Sequence, residues 1–197
     1  MFQIRIHGRG GQGVVTASEL LSVAAFAEGH HAQAFPSFGS ERTGAPVVSF
    51  CRIDTVPIRT REPVVEPDAV IVQDATLLRA VDVLAGLPAS GFVVLNMARD
   101  LDEDLRARLS AFRPDRVAVV PATELALEHV GRPVPNAALL GGFAALTGAV
   151  SLDAVVTAIE ERFGPDVAVG NVAAAREAHR TVRTCREESG AHVHTIA

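Results

Sequence analysis

The stretch Phe2-Gln3-Ile4-Arg5-Ile6-His7-Gly8-Arg9-Gly10-Gly11-Gln12-Gly13-Val14 decides how this chain is read. Phe2, Ile4 and Ile6 alternate with polar residues, the pattern of a half-buried strand. Gly8, Gly10, Gly11 and Gly13 follow within six positions, and Val15, Leu20, Leu21, Val23, Ala24 and Ala27 then recur at helical spacing. Strand, glycine turn and helix in immediate succession open a βαβ unit. A backbone without Cβ turns sharply and lets a ligand approach its amides. The helix beginning near Gln12 adds unpaired N–H groups and a partial positive charge, so the turn is a natural seat for an anion, phosphate being the usual one. The plainer alternative is a set of glycines that only closes a tight strand–helix turn.

Gly8, Gly10 and Gly13 also fit the G-x-G-x-x-G pattern of a dinucleotide fold. That pattern expects an acidic residue at the end of the second strand to hold the ribose. The second strand is placed at 31–35, and it runs into Pro36-Ser37-Phe38-Gly39-Ser40 with no acid at its end. A nicotinamide or flavin dinucleotide is disfavoured on that ground.

Composition narrows the function classes. A chain of 197 residues that is 48% hydrophobic builds one globular core. A net charge of −5 argues against a general nucleic-acid partner. The longest apolar stretch, 137–150, is too short to span a bilayer. Residues 1–15 lack a signal-peptide pattern, and two cysteines far apart suit free thiols in a reducing cytoplasm. All 18 basic residues are arginine. With no lysine there is neither a Walker-A phosphate loop nor a Schiff base. Two cysteines cannot supply the four thiolates of an iron–sulfur cluster. His30-His31 and His192 with His194 suggest a metal, but no further ligands are arranged with them. The chain is poorly equipped for chemistry by itself.

The remaining pattern gives a doubly wound, Rossmann-like α/β fold. Its sheet is mixed but mostly parallel, with an antiparallel hairpin, and a helical segment ends the chain. After the 36–45 loop, 46–53 reads as a strand. Only ten residues separate it from the strand before, too few for a helical crossover, so it runs antiparallel to its neighbour, in a hairpin with 56–59. Strands at 69–74, 91–96 and 116–120 alternate with helices at 75–85, at 101–112 and after Pro121. Helices at 136–146, 152–163 and 171–187 follow. Residues 1–188 form one domain and 189–197 a loose tail. Apolar nearly all round, 137–149 must be buried, in this core or against a partner chain.

Loops leaving the carboxyl ends of parallel strands share one edge of a sheet. That edge gathers the glycine turn, the start of the 36–45 loop, Asp74 and Asn96, with Arg42, Ser37, Ser40 and Thr43 near the glycine amides. Arginine beside an amide nest receives phosphate or pyrophosphate well. Each residue also has a plainer reading: Asp74 as an N-cap, Asn96 bonding its own turn, Arg42 paired at the surface with Glu41. Phe35 and Phe38 plug the core or belong to a subunit interface.

Residues 6–17 (IHGRGGQGVVTA), 35–47 (FPSFGSERTGAPV) and Arg52-Ile53 closely resemble the gamma subunits of the pyruvate and 2-oxoacid:ferredoxin oxidoreductases. Pro67-Asp68, Gly91, Asn96, the 136–141 segment and Asn171 fit the same pattern, so the resemblance covers most of the chain. Thr43 departs from it, standing where the family often has a second arginine.

The resemblance implies a subunit of an enzyme that oxidatively decarboxylates a 2-oxoacid to an acyl-CoA. Electrons pass to ferredoxin or a related acceptor. Thiamine diphosphate with Mg and the iron–sulfur clusters then belong to partner chains, the alpha and beta subunits and a ferredoxin-like delta subunit. No nucleic acid or membrane is implied, and the isolated chain is expected to be inactive. Coenzyme A is expected partly on this chain, with Gly8, Arg9, Gly10, Gly11, Gln12 and Gly13 on its phosphates or pantetheine. Arg42 is added to that set from the sheet-edge geometry. A stand-alone dinucleotide oxidoreductase and an assembly subunit without a ligand remain the alternatives.

Overall fold

A computed structural model describes residues 1–37, 44–98 and 102–193, with the backbone alone for 189–193. Strand β1 (Phe2–Arg9) is followed by α1 (Val14–Ala27), β2 (His31–Pro36) and β3 (Pro46–Asp54). Three strands then alternate with short helices: β4 (Ala69–Val72), α2 (Leu77–Ala80), β5 (Phe92–Asn96), α3 (Glu103–Leu109) and β6 (Val117–Val120). Helices α4 (Ala122–Val130), α5 (Asn136–Thr147), α6 (Leu152–Arg162) and α7 (Pro165–Val193) complete the order. None of the helices is long and apolar enough to cross a membrane, among the described residues.

The sheet runs β2-β3-β1-β4-β5-β6, and β3 alone opposes the rest. The expected mixed, doubly wound sheet is present. The hairpin partner is different: β3 turns back from β2 and lies between β2 and β1, and residues 56–59 form no strand. The reason is physical. Both edges of β3 are already occupied, and Pro57 brings no N–H to a ladder.

Strand alternation sends Ile4, Ile6, Ile71 and Val94 to one face, where they pack with Leu20 and Leu21 of α1 and Leu139 and Phe143 of α5. Val70, Val72, Val93 and Leu95 face the other way, onto Leu77, Leu78, Leu105 and Leu109 of α2 and α3. Helix α5 is thus buried inside this chain, between the sheet and α7. A Cβ on Gly141 would stand 2.0 Å from the Ala175 carbonyl oxygen, so α5 and α7 touch backbone to backbone.

Helix α1 ends in a Schellman motif: Gly29 N–H donates to Phe26 O, His30 N–H donates to Ala25 O, and Gly29 takes φ +82°. Helix α2 spans only Leu77–Ala80 rather than 75–85. Buried Arg5 explains the loss. Its guanidinium donates to the carbonyls of Val83 and Ala85 as well as Val64 and Val65, turning them away from any helix axis. Helix α7 begins at Pro165, well before Asn171, and runs on to Val193.

Candidate functional site

Strands β1 and β4 are adjacent and parallel, yet the chain leaves β1 toward α1 on one face and β4 toward α2 on the other. Ligands of open α/β sheets bind in the crevice outside the carboxyl ends of the strands at such a switch point. Here that switch point falls between Gly10–Gly13, which follow β1, and Asp74–Thr76, which follow β4.

The glycine turn has a definite shape. Gln12 N–H donates to Arg9 O at 3.0 Å across a turn whose third residue, Gly11, takes φ +96°. A side chain is disfavoured at that φ, which is why glycine stands there. Gly13 takes φ +75° and serves as the N-cap of α1, which has no side-chain cap. The first amides of α1 therefore find no acceptor within the helix. Among the described residues a Cβ on Gly11 would meet nothing within 4 Å, so none of them closes the turn on that side. Gly10 is tied to the start of β3, donating to Ala45 O at 2.9 Å and accepting from Gly44 N at 3.2 Å. Gly8 still belongs to β1, and a Cβ there would fall 2.6 Å from Val14 Cγ2.

The two side chains of the turn face inward to the protein. Arg9 Nε lies 3.0 Å from Asp74 Oδ2, Nη1 donates to Gly44 O at 3.0 Å and Nη2 to Thr76 Oγ1 at 2.9 Å. Gln12 Oε1 accepts from Arg9 N–H at 2.7 Å, while its Nε2 donates to Asp74 Oδ2 at 3.1 Å. Asp74 also accepts from Thr76 N and Oγ1 on Oδ1. Burial would raise the Asp74 carboxyl, but the hydrogen bonds from Thr76 and Gln12 and the charge of Arg9 outweigh it and hold the group below the usual carboxylate range. Asp74 is ionised and fully engaged. Arg42, Phe38, Glu41, Ser40 and Thr43 lie outside the described residues.

Around this brace the sheet edge carries further amides. Asn96 Nδ2 donates to Gln73 O at 2.7 Å and to Thr123 Oγ1 at 2.8 Å, and its Oδ1 accepts from Thr123 N. Asn96 thus links three elements, not only its own turn. Asn136, the first residue of α5, is buried beside Gly13, with Nδ2 2.7 Å from where a Cβ on that glycine would stand. Gln73 is wholly buried, and both its side-chain polar atoms are unpaired among the described residues. Gln73 and Asn136 were not visible as site residues in the sequence. The one available signal was a polar residue at the parity of buried Ile71, where an apolar one belongs.

Beneath the turn, on the face opposite α1, Arg5 Nε donates to His7 Nε2 at 3.0 Å. Burial, and secondarily the Arg5 charge, pushes the His7 pKa down to about 4, so this imidazole is neutral. Burial pushes the Cys51 thiol up to about 12, which leaves it no nucleophile at neutral pH. His31 opens β2 and so sits at the far edge of the sheet from the glycine turn. Unpaired amides at a helix start have the chemistry to receive an anion, and among the described residues the edge offers no activated nucleophile.

Residues 3–181 match the family model described as pyruvate ferredoxin/flavodoxin oxidoreductase. The chain is 49% identical to the pyruvate/ketoisovalerate oxidoreductases common subunit gamma of Pyrococcus abyssi, over 90% of this chain and 95% of that one. It is 45% identical to the pyruvate synthase subunit PorC of Methanothermobacter thermautotrophicus, over 94% and 98% respectively. The crystal structure of pyruvate oxidoreductase subunit PORC from Thermotoga maritima superposes with a TM-score of 0.78 at 38% identity, covering 91% of this chain and 95% of that one. The glycine turn, the sheet order and the near-complete coverage agree: this chain belongs to the pyruvate ferredoxin/flavodoxin oxidoreductase family, in the form of its gamma subunits.

Proposed function

We propose that this chain works in the cytoplasm as the gamma subunit of a 2-oxoacid:ferredoxin oxidoreductase, where it holds part of coenzyme A and joins the complex together. The observation that carries the reading is the open glycine turn at the switch point, with left-handed Gly11 and Gly13 and an α1 N-terminus lacking a side-chain cap. Amides so placed suit the phosphates of a nucleotide cofactor. When bound, coenzyme A supplies the thiol that takes the acyl group; the residues of this chain only hold and orient it.

The other cofactors fit partner chains. Two cysteines, one of them buried, do not make a cluster site. A thiamine diphosphate site needs carboxylates gathered around Mg, and Asp74 is already committed to Arg9, Gln12 and Thr76. Decarboxylation and electron transfer are accordingly assigned to alpha, beta and delta subunits and a ferredoxin-type acceptor. The relative's name, a gamma subunit common to pyruvate and ketoisovalerate oxidoreductases, supports placing substrate choice elsewhere.

The test is Gly11→Val in the assembled complex. The described residues leave space for the side chain, but the left-handed backbone is strained by any Cβ, so valine both disturbs the turn and lies across the approach to its amides. The KM for coenzyme A is expected to rise about tenfold or more, as losing one to two hydrogen bonds to an anion implies, with kcat nearly kept. An unchanged KM rejects the coenzyme A reading. One observation favours a second reading, a turn that serves assembly alone: Arg9 and Gln12 already brace it from within. On that reading the same variant weakens subunit association and leaves KM alone.

A further inference from the structure

Asp74 is the acceptor on which the glycine turn converges. Its Oδ2 receives Arg9 Nε at 3.0 Å and Gln12 Nε2 at 3.1 Å, and its Oδ1 receives Thr76 N at 3.0 Å. Arg9 in turn reaches Gly44 O and Thr76 Oγ1. One carboxylate, directly and through Arg9, thus ties the glycine turn, the foot of β3 and the start of α2 together. Arg9 Nε and one N–H on each Nη reach protein acceptors, so the guanidinium is anchored in the clasp by three of its five donors.

We infer that Asp74 is a positioning residue: through Arg9 and Gln12 it holds the turn so that backbone amides, and not the Arg9 side chain, receive the anionic ligand. The inference rests on the coenzyme A reading above. It assigns different roles to Arg9 and to the neighbouring backbone amides, where the expectation placed Arg9 together with the glycines and Gln12 on the phosphates or pantetheine. Without Asp74 the guanidinium would be free to swing toward an anion, yet the turn would lose its brace. The two views therefore predict opposite signs for one substitution.

The experiment is D74N in the assembled complex, with Gly11→Val beside it, and two readouts. One is equilibrium binding of coenzyme A by calorimetry without 2-oxoacid; the other is hydrogen exchange of the amides in 9–14. Positioning predicts that D74N weakens coenzyme A roughly tenfold, that amides 10–12 exchange faster, and that kcat at saturating coenzyme A stays within about twofold. T76V, which removes one hydroxyl from the clasp, gives a smaller loss of the same sign and covers the case in which D74N does not assemble. Arg9→Gln combined with D74N gives no more loss than either alone, because the two act as one unit. If D74N binds coenzyme A more tightly, Arg9 is the direct ligand and the inference is overturned. If D74N is unchanged while Gly11→Val loses affinity, the inference fails and the coenzyme A reading stands. If neither variant changes affinity, both fall.

Discussion

Two glycines of this chain are required for opposite reasons. Gly141, inside α5, has an ordinary helical backbone, and its missing Cβ lets α7 approach until Ala175 O occupies the space, 2.0 Å from where that atom would be. Gly11 has φ +96° and, among the described residues, nothing within 4 Å of its absent Cβ. The first is glycine because the protein crowds it; the second because the backbone turns there while the space stays open. Crowding marks packing, and an open left-handed turn beside an uncapped helix marks a place where something from outside can come close.

The largest effect that tests this contrast is on the crowded side. Gly141→Ala forces two helix backbones apart, and no flexible side chain is available to yield. The expected loss is about 3 kcal/mol or more, with Tm falling by roughly 10 °C in thermal unfolding. A variant as stable as the parent would mean that α5 and α7 do not meet at this glycine.

A somewhat smaller effect comes from under the open turn. His7 immediately precedes Gly8, is buried, and accepts a hydrogen bond from Arg5 through Nε2. Its folded pKa of about 4 lies below the ordinary 6.5, so the unfolded chain binds the proton more readily. Stability from the neutral ring is complete above pH 6.5 and is lost as pH falls from there toward 4, by up to about 3 kcal/mol. Urea unfolding at pH 7 and pH 4.5 measures it. His7→Gln, which keeps an acceptor for Arg5 but cannot titrate, is expected to flatten that part of the acid limb. An identical acid limb in the variant would show that His7 is not the group responsible.

The same contrast explains what could be read from sequence. Local patterns carried the strand–turn–helix opening, the parallel strands and the buried α5, because periodicity and glycine spacing are local properties. The placement of β3 between β2 and β1 was not local: alternation at 46–53 identifies a strand but not which edges it fills. The shortening of α2 depended on Arg5, which is some 80 residues away in the chain and takes Val83 O and Ala85 O. Helix α7 runs straight through Gly170, whose lack of Cβ lets His129 O approach to 2.3 Å from that position. Its true start is Pro165, a residue suited to the first turn. At the site, the glycines stood out because of their spacing. The brace through Asp74 and the buried amides of Gln73 and Asn136 did not, because nothing in a linear pattern reports which polar groups meet across a sheet edge.

The smallest stability effect gives the sharpest comparison, because α1 carries an open left-handed glycine at each end. Gly29, after its C-terminus, has φ +82° and, like Gly11, nothing within 4 Å of an added Cβ among the described residues. Alanine at either position meets the same backbone penalty, roughly 1–2 kcal/mol, without a steric clash. Gly11→Ala and Gly29→Ala are therefore expected to lower the unfolding free energy by similar amounts, measured side by side in urea. They should differ in ligand binding, since Gly29 lies beyond the negative end of the helix and Gly11 before the positive one. Only Gly11→Ala should weaken coenzyme A in the assembled complex, by several-fold. Equal affinity in the two variants would reduce Gly11 to what Gly29 already is, a residue that lets the chain turn.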